Sequence, residues 1–284
     1  MRAIVLPRIA LILFLAACVA PERPSPTSDD LGRPVTLPPR ITRIVTLSPN
    51  LTEIVFAIGA GERIVATDDF SNFPAAAKAL PKVGGMQPNI EKIAALRPDL
   101  VLASTEGNHP NLAPALSAAK IPLFVVRTDR VAEVTTAMTR LGELLAAPRH
   151  QDAVTELRKA VEAQRRTRTH PPRVLFAVWT DPLYVGGQQT FTDDILKLAG
   201  AQNSVQVTGW PQYSLESLLA QPPDLILYPR GAVTPQQIDA LRERVPELQA
   251  EIVAVDEDIF QRPGPRVADA ARALNAILDA REAK

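Results

Sequence analysis

The sequence is poor in cysteine, histidine and aromatic side chains. Of its 284 residues one is a cysteine (Cys18), three are histidines, and aromatics make up 5%. A lone cysteine excludes an intramolecular disulfide and any C-x-x-C redox or zinc motif. His109, His150 and His170 are scattered and lack the spacing of an H-E-x-x-H pair, so no metal site is expected. There is no P-loop, no G-x-G-x-x-G fingerprint and no G-x-S-x-G elbow. Nothing assembles a nucleophile, a base and an orienting group, so no catalytic residue is assigned and the chain reads as a non-enzyme without a cofactor. The 31 basic and 31 acidic residues cancel to a net charge of zero, which argues against nucleic acid as a partner. Beyond residue 17 no apolar run reaches transmembrane length.

What the chain does contain is an internal duplication. Residues 89–102, NIEKIAALRPDLVL, recur at constant spacing as residues 214–227, SLESLLAQPPDLIL. Asn89 and Ser214 suit helix N-caps, because their side-chain oxygens accept from the unpaired amides of the first turn. Apolar residues at helical spacing follow, and a Pro-Asp pair then ends each helix, since the proline ring clashes with the preceding turn. Residues 100–103 and 225–228 are short, wholly apolar strands of the buried parallel kind. Each copy is an αβ unit, and two copies imply two lobes. Each copy presents one acid in the first helical turn, Glu91 or Glu216. From the residues alone, complementing the helix dipole accounts for both.

Residues 1–8 are basic, residues 9–17 are apolar, and the run ends in Leu15-Ala16-Ala17-Cys18, which resembles the bacterial lipobox. Residues 1–17 are therefore expected to be a lipoprotein signal peptide, with Cys18 lipidated as the mature N-terminus and membrane contact made through that anchor only. Val19 stands where the inner-membrane retention signal has aspartate, so either the periplasm or the outer cell surface is open. Residues 18–40, rich in Pro, Ser, Thr and Asp, read as a flexible tether.

The remainder alternates strands and helices, the mark of α/β lobes around parallel sheets. Strands are expected at 44–47, 63–66, 122–126 and 173–178, and helices at 51–58, closed by Gly59, and at 131–145. A long polar helix from Pro148 to about residue 166, with the basic 165–168 at its end, suits a bridge between lobes. This gives an N-terminal lobe at 41–147, a bridging helix at 148–168 and a C-terminal lobe at 169–284. The few aromatics cluster at strand ends and turns: Phe70, Phe73, Trp179, Tyr184, Trp210, Tyr213 and Phe260. In open α/β sheets ligands bind beyond the carboxyl ends of strands, and an aromatic-lined cleft suits a large, flat, partly apolar ligand.

Four segments, 43–53 (RIVTLSPNLTE), 89–102, 209–216 (GWPQYSLE) and 258–266 (DIFQRPGPR), together resemble the vitamin B12/iron-siderophore/haem class of periplasmic binding proteins, and within it the cobalamin binders that feed ABC importers. The likeness runs from residue 41 to the C-terminus. It implies two α/β lobes on one rigid helix and small hinge motion. It implies cobalamin or a related corrinoid as the transported ligand, and an ABC permease dimer with its cytoplasmic ATPase as partner. By position, Glu91 and Glu216 match the glutamates that dock on the permease, one per lobe, as a pseudo-symmetric protein meeting a two-fold partner requires. Phe70 matches a ligand-stacking tyrosine and Trp210 a cleft tryptophan. Asp258, Ile259, Phe260, Gln261 and Arg262 match a loop that contacts the corrin. One position departs from the pattern: Gly85, in 83–86 (VGGM), stands where the cobalamin binders carry a tryptophan. Trp179 is the candidate to fill that space from the other lobe.

Other ligands stay open. An anionic ferric siderophore would want arginines facing the cleft, for which Arg127, Arg262 and Arg266 are available. Haem would want an axial Tyr or His, for which Tyr184, Tyr213 and His109 are available. A lipid-anchored interaction module uncoupled from any transporter is a third reading. Replacing Glu91 and Glu216 separates it from transport.

Overall fold

The computed structural model describes residues 27–105 and 111–283. The signal peptide, Cys18 and His109 lie outside the described residues. Two sheets organise the chain. The first is wholly parallel, in the order Ile64–Thr67, Ile44–Thr46, Leu100–Ser104, Leu123–Val126. The second runs Glu251–Asp256, Leu225–Arg230, Arg173–Thr180, all parallel, with Gln202–Asn203 also parallel to Arg173–Thr180 and Leu183–Val185 antiparallel at the edge. This is the α/β, two-lobed class expected, with each copy of the duplicated segment supplying a helix (Ile90–Ala95, Leu215–Ala220) and the strand after it.

The inner strands are mostly apolar because both faces of each sheet are covered. Their two-residue period sends alternate side chains to different cores. Val45, Val101, Ala103 and Val125 face an outer core of the first lobe. Leu175, Ala177 and Ile226 face an outer core of the second. Their neighbours Ile44, Leu100, Leu102, Val174, Phe176, Leu225 and Leu227 all join one central core, with Val154, Leu157 and Leu274 from the intervening helices. Full burial of a side chain the size of Phe176 contributes about 1.5–3 kcal/mol.

The linking helix is His150–Glu162, shorter at both ends than expected. Pro148 and Arg149 form the turn before it, and the Arg149 amide donates to the carbonyl of Ile58, where the helix Pro49–Ala57 ends ahead of Gly59 at φ +86°. That left-handed position is one glycine adopts without a Cβ clash. Residues 165–168 do not end a helix. They leave it as irregular chain, in which Arg168 pairs with Asp279 (2.8 Å) and Glu282 (2.7 Å) of the C-terminal helix Val267–Glu282. Residues 27–40, read as tether, also differ from expectation. Thr27–Ser28 and Pro34–Val35 pair as a hairpin whose turn is held by Asp29 and Arg33. The Asp30 carboxylate accepts from the Arg127 amide (2.7 Å), and Val35 and Leu37 enter the central core.

Candidate functional site

The carboxyl ends of three first-lobe strands converge on one pocket. Leu47 and Ser48 follow Thr46, Asp68 follows Thr67, and Ser104 ends its strand; Phe70, Gly85 and Met86 form the wall. The opposite lobe contributes Gln261, Arg262 and Pro263, so the cavity, about 210 Å³, lies between the lobes. It is where the general rule for open α/β sheets puts a ligand. The 258–263 loop is aimed there by its start: Asp256 caps the short helix Glu257–Phe260 through a bond from the Asp258 amide (2.9 Å).

The pocket floor is polar and fully bonded. Asn50 accepts from the Ser48 hydroxyl (2.6 Å) and donates to Thr128 (2.8 Å) and to the carbonyl of Pro263 across the cleft (3.3 Å). Buried Asp68 accepts from the Phe70 amide (3.0 Å) and the Ser71 hydroxyl, and Ser71, Thr52 and Thr46 continue the chain at 2.7 and 2.6 Å. Burial pushes the Asp68 carboxyl up from its ordinary range, against the pull of Ser71, Phe70, Lys82 and Arg262.

Beneath the pocket the lobes are joined by charge. Glu53, 3% exposed on the helix Pro49–Ala57, receives both arms of Arg266 at 2.9 and 2.6 Å. Arg262 lies 3.8 Å from the same carboxylate, pairs with Asp258, and donates to Asn72 at 2.6 Å. Asn72 in turn donates to Asp258 at 3.0 Å. The Arg266 guanidinium also stands 4.4 Å over the ring of Phe73. Burial raises the Glu53 carboxyl while Arg266 and Arg262 pull it down, and the bond to Glu53 raises Arg266 despite its own burial. The bidentate fork is the geometry of an ionic pair.

The expected site residues do not all meet. Phe70, Gln261 and Arg262 line the pocket, and Asp258 supports it from below. Phe260 does not face a ligand: it is 1% exposed and stacks on Phe176 at 6.2 Å in the central core. Ile259 packs against that core as well. Contacts with the central core, the Phe176 ring above all, take both side chains away from the cleft. Trp179, Tyr184 and Trp210 form a separate exposed group on the second lobe and do not line this pocket. Trp179 and Tyr184 face each other across the strand pair, and the Trp210 ring approaches Gly186, whose missing Cβ would meet it at 3.4 Å. Trp179 therefore does not fill the space at Gly85. Phe70 does, its ring lying 3.0 Å from where a Gly85 Cβ would stand. Of the three arginines, Arg266 is committed to Glu53 and Arg127 is an exposed neighbour of Asp129, so only Arg262 reaches the pocket. Asn50, Glu53, Asp68 and Asn72 went unassigned, although Asn50 and Glu53 sit within the 43–53 segment that carried the resemblance.

Glu91 and Glu216 occupy the same place in their lobes. Each is the second residue of its helix, exposed, behind a cap that bonds the third amide: Asn89 to Lys92 (2.8 Å) and Ser214 to Ser217 (3.0 Å). The bond from its own amide, with the Ser214 side chain, holds the Glu216 carboxyl below its ordinary range.

Known proteins share this architecture. The vitamin B12-binding protein of Pectobacterium atrosepticum is 31% identical over 236 residues, covering 79% of this chain and 84% of its own length. The periplasmic vitamin B12-binding protein BtuF of Vibrio cholerae has a TM-score of 0.73 at 26% identity, covering 86% of this chain and 99% of that one. A periplasmic haem-binding protein from Pseudomonas aeruginosa has a TM-score of 0.75 at 26% identity, covering 84% and 92%. The periplasmic binding protein family matches residues 44–258, a solute-binding family and not one of enzymes, and the chain belongs to it.

Proposed function

We propose that this chain captures a corrinoid, cobalamin or a close relative, between its lobes and delivers it to an ABC permease. In this reading Phe70 stacks on the ligand from the first lobe. Gln261 and Arg262 contact it from the second, and Asp258 holds Arg262 in place. The exposed Trp179, Tyr184 and Trp210 meet the part of a large ligand that extends beyond the pocket. Glu91 and Glu216 dock on the permease, Cys18 carries the lipid anchor, and residues 150–162 join lobes that begin near residues 41 and 169.

The observation that carries the corrinoid is the charge of the pocket. Its lining has one cation, Arg262, already matched by Asp258 and Glu53, and one anion, Asp68. Among the described residues no spare positive charge in the lining greets an anionic siderophore or the propionates of haem, whereas a corrin bearing neutral amides needs none. Haem is the second reading, supported by the likeness to a haem-binding protein. Against it, neither Tyr nor His is among the described residues that line the pocket, and Tyr213, one of the axial candidates, packs beside the second lobe's outer core; His109, another, lies outside the described residues.

Calorimetric titration of the protein, produced without residues 1–18, against cyanocobalamin and haemin tests this. Tight one-to-one binding of cyanocobalamin that weakens tenfold or more in Phe70→Ala is expected. Heat with haemin alone would overturn the corrinoid reading and leave the family assignment intact.

A further inference from the structure

We propose that Glu53 is a charge-selectivity residue: by neutralising Arg266 and Arg262 from beneath the pocket, it keeps the cleft from accepting anionic ligands. The inference deepens the proposed function and rests on the pocket being the ligand site. Glu53 does not line the pocket, so it acts through other groups. Its carboxylate is buried, reaches from the first lobe into the second, and binds Arg266 at 2.9 and 2.6 Å. It also stands 3.8 Å from Arg262, the one cation in the lining.

Without that carboxylate Arg266 would lose its one ion pair among the described residues: Asp258 pairs with Arg262 and offers Arg266 only its backbone carbonyl at 3.2 Å, while Asp68 acts on Arg262 and Asp256 on Arg266 from farther off. Both arginines are largely shielded from water, with side chains 15% and 17% exposed, so solvent and salt screen them weakly. A guanidinium whose donors are not taken up by an acid is what recognition of a ligand carboxylate requires. The fold supplies the arginines, and the buried glutamate cancels them. A role confined to joining the lobes would respond to loss of Glu53 by weakening every ligand alike. A charge filter responds according to the charge of the ligand.

Two matched pairs of ligands read the difference: cyanocobalamin against its amide-hydrolysed, carboxylate-bearing corrin, and protoporphyrin dimethyl ester against protoporphyrin. Within each pair the shape is held and the charge changes. The wild-type protein should prefer the neutral corrinoid. In Glu53→Gln the ratio of affinities should move toward the carboxylate form by at least tenfold, and the gain should shrink as ionic strength rises. Asp258→Asn, at a partly exposed position, should move the ratio the same way and serves if Glu53→Gln fails to fold. An unchanged ratio, or a parallel loss for both members, would reduce Glu53 to a structural tie. If the wild type binds only the porphyrins, the corrinoid reading fails while the ratio within that pair still decides the filter. A wild type that prefers the anionic member of either pair overturns the inference directly.

Discussion

Asp99 and Asp224 show how much a single carboxylate does here, and that the lobes are duplicates down to this detail. Asp99 accepts from the Thr42 amide (2.7 Å), the Thr42 hydroxyl (2.9 Å) and the Arg43 amide (2.9 Å), while the Arg43 guanidinium bonds the carbonyl of Leu96 (2.8 Å). In the second lobe Asp224 accepts from the Arg173 amide (2.7 Å), and the Arg173 side chain bonds the carbonyl of Gln221 (3.2 Å). Each clamp ties the start of the lobe's first strand to the end of its duplicated helix. Asp99→Ala removes three bonds to a charged acceptor and should cost about 1–3 kcal/mol in urea unfolding. The sign of its pH dependence follows from competing causes. Burial raises the Asp99 carboxyl, but the bonds from Thr42 and Arg43 prevail and hold it below its ordinary 3.8. Its contribution is therefore full above that value and is lost as pH falls through the lowered one. Glu53 and Asp68 act oppositely. Burial raises both, so the folded protein holds these protons more tightly than the unfolded chain and their contribution declines as pH rises through the raised values, above which Glu53 is the carboxylate that pairs with Arg266. The stability gap between wild type and Asp99→Ala should hold near neutrality and narrow as pH falls below 3.8; a gap that does not narrow there would contradict the clamp. Caps such as Asn89 were legible because they act over three residues. The partner of Asp99 stands 57 residues away and that of Glu53 213 away, and no local pattern reports such distances.

At the scale of elements, the duplicated αβ unit was readable because each of its steps is local: a cap, a helical stripe, a proline stop and an apolar strand. What escaped were places where tertiary partners overrule composition. Residues 27–40 look like linker yet fold as a hairpin because Asp29 closes the turn and Val35 and Leu37 find the central core. Arg168 looks like part of a helix end yet pairs with acids on another helix, while Arg165 turns back to Glu162. The strand Glu251–Asp256, bounded by charged residues at a sheet edge, carries only a brief apolar run. The matched exposure of Glu91 and Glu216 tests whether the duplication serves a partner. Paired substitution to alanine should leave the urea midpoint nearly unchanged, because both side chains are solvated and a helix-dipole contact there is weak. It should leave ligand affinity unchanged and abolish uptake in cells dependent on the transporter. Uptake retained by the double variant would return both residues to the capping role that the sequence alone accounts for.

The whole molecule is two sheets but one central core, and this governs how it should come apart. Side chains from the inner faces of both sheets belong to the same apolar cluster as Val154 and Leu157 of the linking helix, and Phe176 of the second sheet stacks on Phe260 of the loop that reaches the pocket. Parting the lobes would expose that cluster, break Arg130 from Asp194 where the helix Val131–Leu144 meets the second lobe, and strand Glu53 away from Arg266. Parting the lobes hydrates Glu53 and Arg266, so the lost pair adds little, and it is exposure of the shared apolar cluster that disfavours separation before unfolding. The two lobes should accordingly melt together. Calorimetry should show one transition whose calorimetric and van't Hoff enthalpies agree, although the chain exceeds the size at which two-state behaviour is usual. Glu53→Gln should lower the midpoint of that single transition without splitting it, because the apolar cluster still joins the sheets. Two resolved peaks in the wild type would mean that the shared core does not couple the lobes. The ligand would then meet a cleft whose walls move independently, instead of one held in shape before binding.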